Sequence, residues 1–422
     1  MDTDAHQVTP LTAIWPTTSI KIEEARRDIF TTSGFLDDGP ADQTPGVISS
    51  TFIQDGSILS PRTNTCGPGE YPPTRATLKE GDLAVVLVRR VGDSALVTAE
   101  HAGWTAARSI GIIRADAHIV RWLRIWLQTP TAKARIAEDV TAHVEPTVSL
   151  DTLRRMLFPL PPPDVITAYH QAFALIEEMI SLYKDTARKA VELADALHDH
   201  WASADPPWQT RALAEVARPK TGKGSERSLP VAPTAPTVDA IAPSDLFDLP
   251  VPHVERFRLR SPVDACEAHP PGTFMLSTRP DGAHIAVTRR PATPLRNVVA
   301  VRPIEDSGSL WLLHELRSRS SEITELTQDQ NCREISAKTL KRLEVTWPDQ
   351  FTRTDFHTMA EPPHAVARLL ISKIATLHAL RDALLRDVSA KAGILREPSA
   401  EPREATTSDE SGWSPENRRV PK

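Results

Sequence analysis

The stretch Leu150–Phe173, LDTLRRMLFPLPPPDVITAYHQAF, places a short apolar segment, a run of three prolines and the start of a long helical pattern directly after one another. A proline run ends a regular element, because proline fixes φ and has no amide hydrogen to donate. Asp164 follows the run and suits an N-cap position. The stretch therefore predicts a globular region that ends at the prolines and a helix that begins directly after them.

Apolar residues after the prolines recur at alternating spacings of three and four, the heptad pattern of a helix that packs on a partner helix. The first such helix is predicted from about Val165 to Trp201, and its length would be about 55 Å. The second is predicted to follow Pro362 and Pro363, which suit a first helical turn. The residues predicted to face the partner are Phe173, Ile176, Ile180, Tyr183 and Leu197 in the first helix, and Leu370, Ile374, Leu377 and Leu384 in the second, with Leu395 at its end. Antiparallel pairing of the two is favoured, and packing of both in one globular core is the alternative.

The chain also repeats itself, because four segments recur later in the same order. The paired segments contain Trp15 and Trp208, Gly81 and Gly272, Trp122 and Trp311, and Thr152 and Thr339. The offset falls steadily from 193 residues for the first pair to 187 for the last. A slowly drifting offset is what a duplication followed by small deletions produces, so we predict two similar halves, each a globular region followed by a long helix.

Composition limits the classes of protein to which the chain can belong. The 422 residues carry a formal net charge of −6, whereas nucleic-acid-binding domains are usually basic, so any such contact must come from a local patch. Cys66, Cys266 and Cys332 lie far apart, which predicts neither a disulfide framework nor a zinc site. The sequence begins without a signal-peptide pattern and has no apolar run of about 18 residues, so we predict a cytoplasmic protein with no membrane partner.

No pattern of catalytic residues is found in the sequence. Serine-nucleophile, metalloprotease, Walker and dinucleotide-binding motifs are all missing. KTGKGS, from Lys220, has the wrong spacing for a phosphate loop, and we interpret it as a flexible linker. We interpret His170, His198 and His200 as surface or partner-contact residues. The sequence therefore predicts a protein that is not an enzyme, with no metal and no cofactor of its own.

The order of these segments resembles the DNA-specificity subunit of type I restriction–modification systems. The residues that carry the resemblance are the segments opened by Trp15 and Trp208, GVISSTFIQDGSI from Gly46, LKEGDLAVVLVRR from Leu78, and LDTLRRMLFPLPPP from Leu150. It extends from about Leu11 to Leu395. The chain departs from the family in the first helix, which lacks an early Glu-Gln pair, and at Thr273, which stands where the first half has Asp82.

The resemblance implies an α+β protein with an internal pseudo-two-fold repeat. Two tandem α/β target-recognition domains would each be followed by a long helix, and the helices would pair as an antiparallel coiled coil. The implied boundaries are 1–150 for the first recognition domain, 151–204 for a boundary strand and the first long helix, 205–335 for the second recognition domain, 336–395 for a boundary segment and the second long helix, and 396–422 for a disordered tail.

The resemblance also implies a function. Members of the family are non-catalytic and read a split target in double-stranded DNA, one half with each domain. Their helices dock two adenine-methyltransferase subunits, which carry S-adenosylmethionine, and in some complexes restriction subunits with an ATP-driven motor join. Arginine suits bidentate contacts to phosphate or guanine, and the residues predicted to bind DNA are Arg89, Arg90, Arg279, Arg289 and Arg290. The alternatives are a coiled-coil scaffold with two protein-binding domains and an uncharacterised enzyme.

Overall fold

The computed structural model describes residues 18–31, 46–54, 56–59, 77–140, 145–203, 208–225, 229, 236–247, 249–254, 257, 259–262, 267–328 and 335–391. Trp15, the three cysteines, Leu395 and the predicted tail 396–422 lie outside these ranges. The chain divides into two compact units, one formed by 1–170 with 384–422 and the other by 171–383. No helix in the described ranges combines the length and the apolar character that crossing a membrane requires.

The first half of the chain alternates short strands and helices and ends in a long helix. In chain order the elements are β1 Thr18–Lys21, α1 Ile22–Ala25, β2 Arg26–Phe30, β3 Val47–Ile48, β4 Ile53–Gln54, β5 Ser57–Ile58, β6 Leu83–Val86, β7 Ser94–Leu96, β8 Thr105–Ala106, β9 Ile110–Ala115, α2 Ala117–Leu127, α3 Pro130–Glu138, α4 Leu150–Arg155, β10 Leu157–Leu160 and α5 Pro163–Ala202.

The second half follows the same plan. Its elements are β11 Thr210–Ala212, α6 Leu213–Val216, β12 Ala217–Thr221, β13 Thr237–Ile241, β14 Leu259–Pro262, β15 Phe274–Arg279, β16 Gly282–Val287, β17 Ala292–Pro294, β18 Val299–Pro303, α7 Ser309–Ser318, α8 Ser320–Gln328, α9 Ala337–Leu340, β19 Glu344–Thr346 and α10 Gln350–Lys391.

Strand pairing confirms the repeat that the sequence predicted. The main sheet of the first half has the order β2-β9-β6-β7, and that of the second half has the order β12-β18-β15-β16. Each half also closes with an antiparallel pair between its first and last strands, β1 with β10 and β11 with β19. A short parallel pair recurs as β3 with β8 and β13 with β17. The two halves therefore share one topology.

Local details recur at the equivalent positions. Gly81 and Gly272 precede the central strands with φ of +85° and +83°, a backbone conformation that glycine adopts without steric penalty. The Trp122 indole N–H donates to the carbonyl of Pro159 at 2.5 Å, and that of Trp311 donates to Thr346 at 2.8 Å. Each hydrogen bond ties the helix after the main sheet to the strand that leads into the long helix, so the duplicated tryptophans explain why this junction is built twice.

The long helix α5 begins two residues before its predicted start, at the last proline of the run. Pro163 is its first residue, where a missing amide hydrogen costs nothing because the first amides of a helix have no intrahelical acceptor. Asp164 lies in the first helical turn instead of capping it, so the carboxylate faces the positive end of the helix dipole. The helix has 40 residues and is therefore about 60 Å long.

The predicted start of the second long helix is wrong. Helix α10 begins at Gln350 and contains Pro362 and Pro363 in its interior. A proline inside a helix loses a hydrogen bond and crowds the preceding turn. Phe356, Ala360 and His364 flank the prolines and are all fully buried, so tertiary packing on both sides of the two prolines offsets this penalty.

Candidate functional site

The two arginines predicted to bind DNA in the first half lie between β6 and β7, at the turn where the sequence placed them. Arg89 has φ of +70° and donates from Nε and Nη2 to Oε1 of Glu145 at 2.9 and 2.7 Å. This hydrogen bond raises the pKa of the Arg89 guanidinium. Arg90 donates from Nη2 to the carbonyls of Ser50 and Ile53, both at 2.6 Å. Both side chains therefore have partners within their own half, and DNA contact by either stays a prediction.

The arginines of the second half have different neighbours. Arg279 ends β15 and stacks its guanidinium 3.9 Å from the ring centre of Phe247. Arg289 donates from Nη1 to the Ser372 hydroxyl of α10 at 2.8 Å, so it faces the helix. Arg290 is exposed. Of these three, Arg290 is the one whose position most directly suits an external anion.

A basic cleft that was not predicted from the sequence lies at the end of β12. It has a volume of about 190 Å³ and is lined by Lys220, Thr221, Gly222, Lys223, Gly224, Glu267, His269, Thr293 and Pro294. A Cβ at Gly222 would lie 2.1 Å from the carbonyl oxygen of Leu295, so only glycine lets the loop pack this closely. The interpretation of KTGKGS as a flexible linker is therefore wrong for residues 220–225.

The charges of this cleft are partly paired. Lys220 forms an ion pair with Glu267, and this hydrogen bond lowers the pKa of the Glu267 carboxyl. Burial lowers the pKa of His269, which favours a neutral imidazole at pH 7. Lys223 is exposed beside them. With one carboxylate against two lysines, the cleft has a net positive charge and can accept an anionic group.

Side chains predicted to join the long helices are largely buried. Phe173, Ile176, Ile180, Leu370 and Ile374 are each less than 9% exposed. Four further predicted residues, Tyr183, Leu197, Leu377 and Leu384, are half-buried, and Leu385 is buried beside the last of them. The predicted residues therefore lie on the covered face of each helix, and their role in docking a partner stays a prediction.

Contacts within unit 171–383 show the order in which the two helices meet. Ala187 and Val191 of α5 share an apolar cluster with Ala367 and Leu370 of α10. Farther along α5, the ring of His198 lies 5.9 Å from that of Phe356, which comes earlier in α10. Residue numbers rise along one helix as they fall along the other, so the contacts run in antiparallel order.

In the unit 1–170 with 384–422, the opposite ends of these helices meet through polar side chains. The Tyr169 hydroxyl donates to Oδ2 of Asp387 at 2.6 Å, and Lys391 forms an ion pair with the same oxygen at 2.7 Å. Burial and the carboxylate of Asp387 raise the pKa of Tyr169 well above its usual value. The hydroxyl therefore remains a donor at any physiological pH.

An apolar stripe on the outer side of both helices is exposed in unit 171–383. Leu175, Leu182 and Leu193 are 57, 60 and 57% exposed, and their spacings of 7 and 11 residues place them on one line along α5. On α10, Met359, Val366, Leu369 and Leu380 are large apolar residues that are likewise exposed. Around each helix axis, the exposed line lies roughly 120° from the buried face, and the rotation has the same sense in both helices. Because the two helices make contact in antiparallel order, both exposed lines lie on the same side of the helix pair. We call this surface the outer stripe.

His198 corrects another prediction. It is 1% exposed, its ring lies 4.7 Å from that of Trp311, and its Nε2 lies 3.3 Å from a carboxylate oxygen of Glu315. Burial alone would raise the pKa of Glu315, but the nearby imidazole, the amide of Thr346 and the Arg319 guanidinium lower it to about 2. His198 follows the buried Ala194 by four residues, so its heptad spacing could have identified it as a core residue. His200 is exposed, as predicted.

No protein-family model and no curated protein sequence matches the chain. Solved structures do match. The Type-I restriction-modification system S subunit from M. genitalium aligns with a TM-score of 0.50 and 12% identity, over 90% of this chain and 98% of that one. The chain has the fold of this S subunit.

Two further solved structures match over a similar share of the chain. The HsdS subunit from Thermoanaerobacter tengcongensis covers 92% of this chain and 99% of its own, with 19% identity and a TM-score of 0.34. A chain from a structure on the complex assembly and conformational transition of the type I R-M system covers 89% and 98%, with 19% identity and a TM-score of 0.41. Within the described ranges, no group of three or more His, Cys, Asp or Glu side chains is arranged to hold a metal ion.

Proposed function

We propose that the chain is the DNA-specificity subunit of a type I restriction–modification complex or of a related defence complex. The observation that carries the proposal is the duplicated S-subunit fold, in which two globular regions of one topology each continue into a long helix. The role is non-catalytic. Methyl transfer to adenine would be performed by partner subunits that carry S-adenosylmethionine, and restriction subunits with an ATP-driven motor would join in complexes that also cleave.

The two halves provide two similar globular regions for reading DNA. Each half of a split target would be read by one of them, with the long helices acting as an antiparallel coiled coil that sets their separation. A rod of about 60 Å cannot bring two globular regions onto one stretch of major groove. It can place them in successive grooves, about 34 Å apart along the duplex. The bases between the two half-sites would be crossed without being read.

The outer stripe supports docking of the methyltransferase subunits on the helices. Seven large apolar side chains, each between 45 and 60% exposed, line one side of the pair. A soluble protein rarely leaves a continuous apolar surface of this kind without a partner. An amphipathic helix of the partner laid along the two lines would bury them, as helix-in-groove complexes do.

The target is expected to be bipartite, with a gap of fixed length. When this chain and its methyltransferase are expressed in a host without other adenine methylation, mapping of methylated adenines should give two short sequences separated by unread bases. Exchange of residues 208–335 for the same region of another specificity subunit should alter one half-site only. Each specified base pair should cost about 1–3 kcal/mol of binding free energy when changed. A single continuous motif, or a gap whose length varies freely, would contradict the proposal.

The basic cleft and Arg290 are proposed to contact the DNA backbone. Replacing Lys220 and Lys223 with Ala should weaken DNA binding by the assembled complex at every sequence, and should reduce the slope of log affinity against log salt by about 1 for each phosphate that is no longer neutralised. Arg290→Ala should act in the same direction, as should the Arg89 and Arg90 pair if the partners open their intramolecular contacts. Lys189→Ala, an exposed lysine on α5, is the matched control. An unchanged salt slope in the double lysine variant would show that the cleft faces away from DNA.

A coiled-coil scaffold with two protein-binding domains is the second candidate. The formal net charge of −6 favours it, since a DNA-binding protein usually carries the opposite sign. The two functions are separated by one measurement on the assembled complex. Sequence-specific retention of duplex DNA supports the specificity subunit, and its absence in the presence of the methyltransferase supports the scaffold.

A further inference from the structure

Three histidines and one aspartate form a continuous chain of hydrogen bonds inside unit 171–383. Oδ1 of Asp195 lies 2.6 Å from Nδ1 of His314, whose Nε2 lies 2.8 Å from Nε2 of His364. Nδ1 of His364 in turn lies 2.7 Å from Nε2 of His253. The three imidazoles are between 0 and 4% exposed. We call these four residues the histidine chain.

The histidine chain joins four separate parts of the unit. Asp195 belongs to α5, His314 to α7 and His364 to α10. His253 lies in segment 251–254, which is tied to the main sheet because the amide of Val287 in β16 donates to the carbonyl of Pro252 at 2.7 Å. The hydrogen bonds therefore connect the second globular region to both long helices.

The direction of every hydrogen bond in the chain follows from Asp195. Burial alone would raise the pKa of its carboxyl, but hydrogen bonds from Arg317 and His314 hold it well below its usual value, so Asp195 is ionised. His314 must then donate from Nδ1, which leaves its Nε2 as an acceptor. His364 donates from Nε2 and accepts at Nδ1, and His253 donates from Nε2. All three imidazoles are neutral, and each has one defined tautomer.

This hydrogen-bonding arrangement disfavours a further proton on any of the three imidazoles. The one imidazole nitrogen of the chain outside a hydrogen bond is Nδ1 of His253, which is buried and has no partner among the described residues. A proton added there would create a buried cation, and a proton added to any other ring nitrogen would break an N–H···N bond. The first event destabilises the closed state through the buried charge, and the second also breaks the connection between the helices and the second globular region.

The surrounding charges oppose protonation as well. Burial lowers the pKa of His253 to about 3 and that of His364 to about 2, and nearby cationic groups add to both effects. Burial also lowers the pKa of His314, although Asp195 opposes this effect. The charged or titratable groups around the chain are Asp195 and His198 from α5, Arg317 from α7, Arg368 with its partner Glu361 from α10, and Arg289 after β16.

The fold itself does not require histidine here. The alignment of Trp122 with Trp311 makes Ile125 the counterpart of His314 in the first half, and Ile125 is a buried apolar residue. Apolar packing is therefore compatible with the duplicated topology at this position.

We propose that the histidine chain is an acid-released clamp that holds the second globular region on the two long helices. At neutral pH the four hydrogen-bonded groups fasten segment 251–254 and α7 to α5 and α10. In acid, the opened state takes up protons that the closed state cannot accept, so opening becomes more favourable.

Hydrogen–deuterium exchange of the full-length chain at pH 7.5 and pH 5.0, corrected for the intrinsic rate of amide exchange, tests the clamp. A histidine that cannot be protonated when closed and has the ordinary pKa of about 6.5 when open raises the opening constant about 30-fold between these values. We therefore expect protection of segments 249–254 and 309–317 to fall at least about 30-fold at pH 5.0. Equal protection at the two pH values would overturn the proposal.

Two variants make the test specific. His253→Gln keeps a donor toward His364 but removes the basic nitrogen, so its response to pH should be about 30-fold smaller than that of the native chain. His364→Leu removes the central link and should lower protection already at pH 7.5. His200→Gln, an exposed histidine of α5, is the matched control and should behave as the native chain. If the His364→Leu variant does not fold, the His253→Gln variant alone tests the proposal. A full pH response in His253→Gln would contradict the proposed clamp. The measurement uses no DNA, so it is independent of the proposed function.

Discussion

Ile180→Asp is expected to lower the free energy of unfolding by about 3–5 kcal/mol, because it removes a buried apolar side chain and puts a carboxyl group in its place. Ile180 lies on the covered face of α5 and is 7% exposed. A carboxylate there has no cationic partner among the predicted contact residues, so it must either remain unpaired or take up a proton. Urea unfolding of the full-length chain, followed by circular dichroism at neutral pH, measures the loss.

Leu182→Asp is the matched control for stability and also a test of docking. Leu182 lies two residues farther along α5 and is 60% exposed on the outer stripe. An exposed substitution of this kind changes stability by about 0.5 kcal/mol or less. Under the proposed function it should nevertheless weaken binding of the methyltransferase subunit at least tenfold, since a charge would enter an apolar interface. Equal stability of the two variants would mean that the assigned helix faces are wrong, and full binding by Leu182→Asp would remove the outer stripe as the docking surface.

Asp82→Thr is expected to destabilise the first half by about 3 kcal/mol, because it leaves a partly buried guanidinium without its partner. Asp82 is 2% exposed. It accepts from Nε and Nη2 of Arg114 at 2.7 and 2.6 Å, and from the amide of Lys79 at 2.8 Å. The hydrogen bond to Asp82 raises the pKa of Arg114, so the guanidinium stays charged when its partner is removed.

The second half shows what replaces this ion pair. Thr273 occupies the equivalent position and donates its hydroxyl to the carbonyl of Pro270 at 2.7 Å. Removing both charges, as in Asp82→Thr with Arg114→Gln, should therefore cost less than the two single changes added together. Asp151→Ala, which breaks an exposed ion pair with Arg155 in the same unit, should cost about 1 kcal/mol or less. Hydrogen exchange in β6 and β9 reports these differences, and a loss from Asp82→Thr no larger than that from Asp151→Ala would show that the pair is not important for stability.

The order and spacing of the residues were enough to predict the duplicated topology and the covered faces of the long helices. These features depend on information that is local or periodic. The falling offset between paired segments follows from the order of residues alone, and an apolar side chain at every third or fourth position can bury itself only on one side of a helix. For the same reason the proline run predicted the start of α5 to within two residues, since proline acts on its own backbone and on the turn before it.

The start of α10 and the burial of particular polar residues depend on long-range contacts that the sequence did not reveal. The sequence predicted a helix boundary at Pro362 and Pro363. In the structure both prolines lie inside α10, because Phe356 and His364 pack on residues far away in the chain. Arg89 was predicted to bind DNA, and the structure adds that Glu145, 56 residues later, accepts its hydrogen bonds. The histidine chain joins residues 111 and 119 positions apart. Contacts over such separations leave no periodic trace in the sequence, because any residue pair of suitable chemistry can form them once the fold has brought the two positions together.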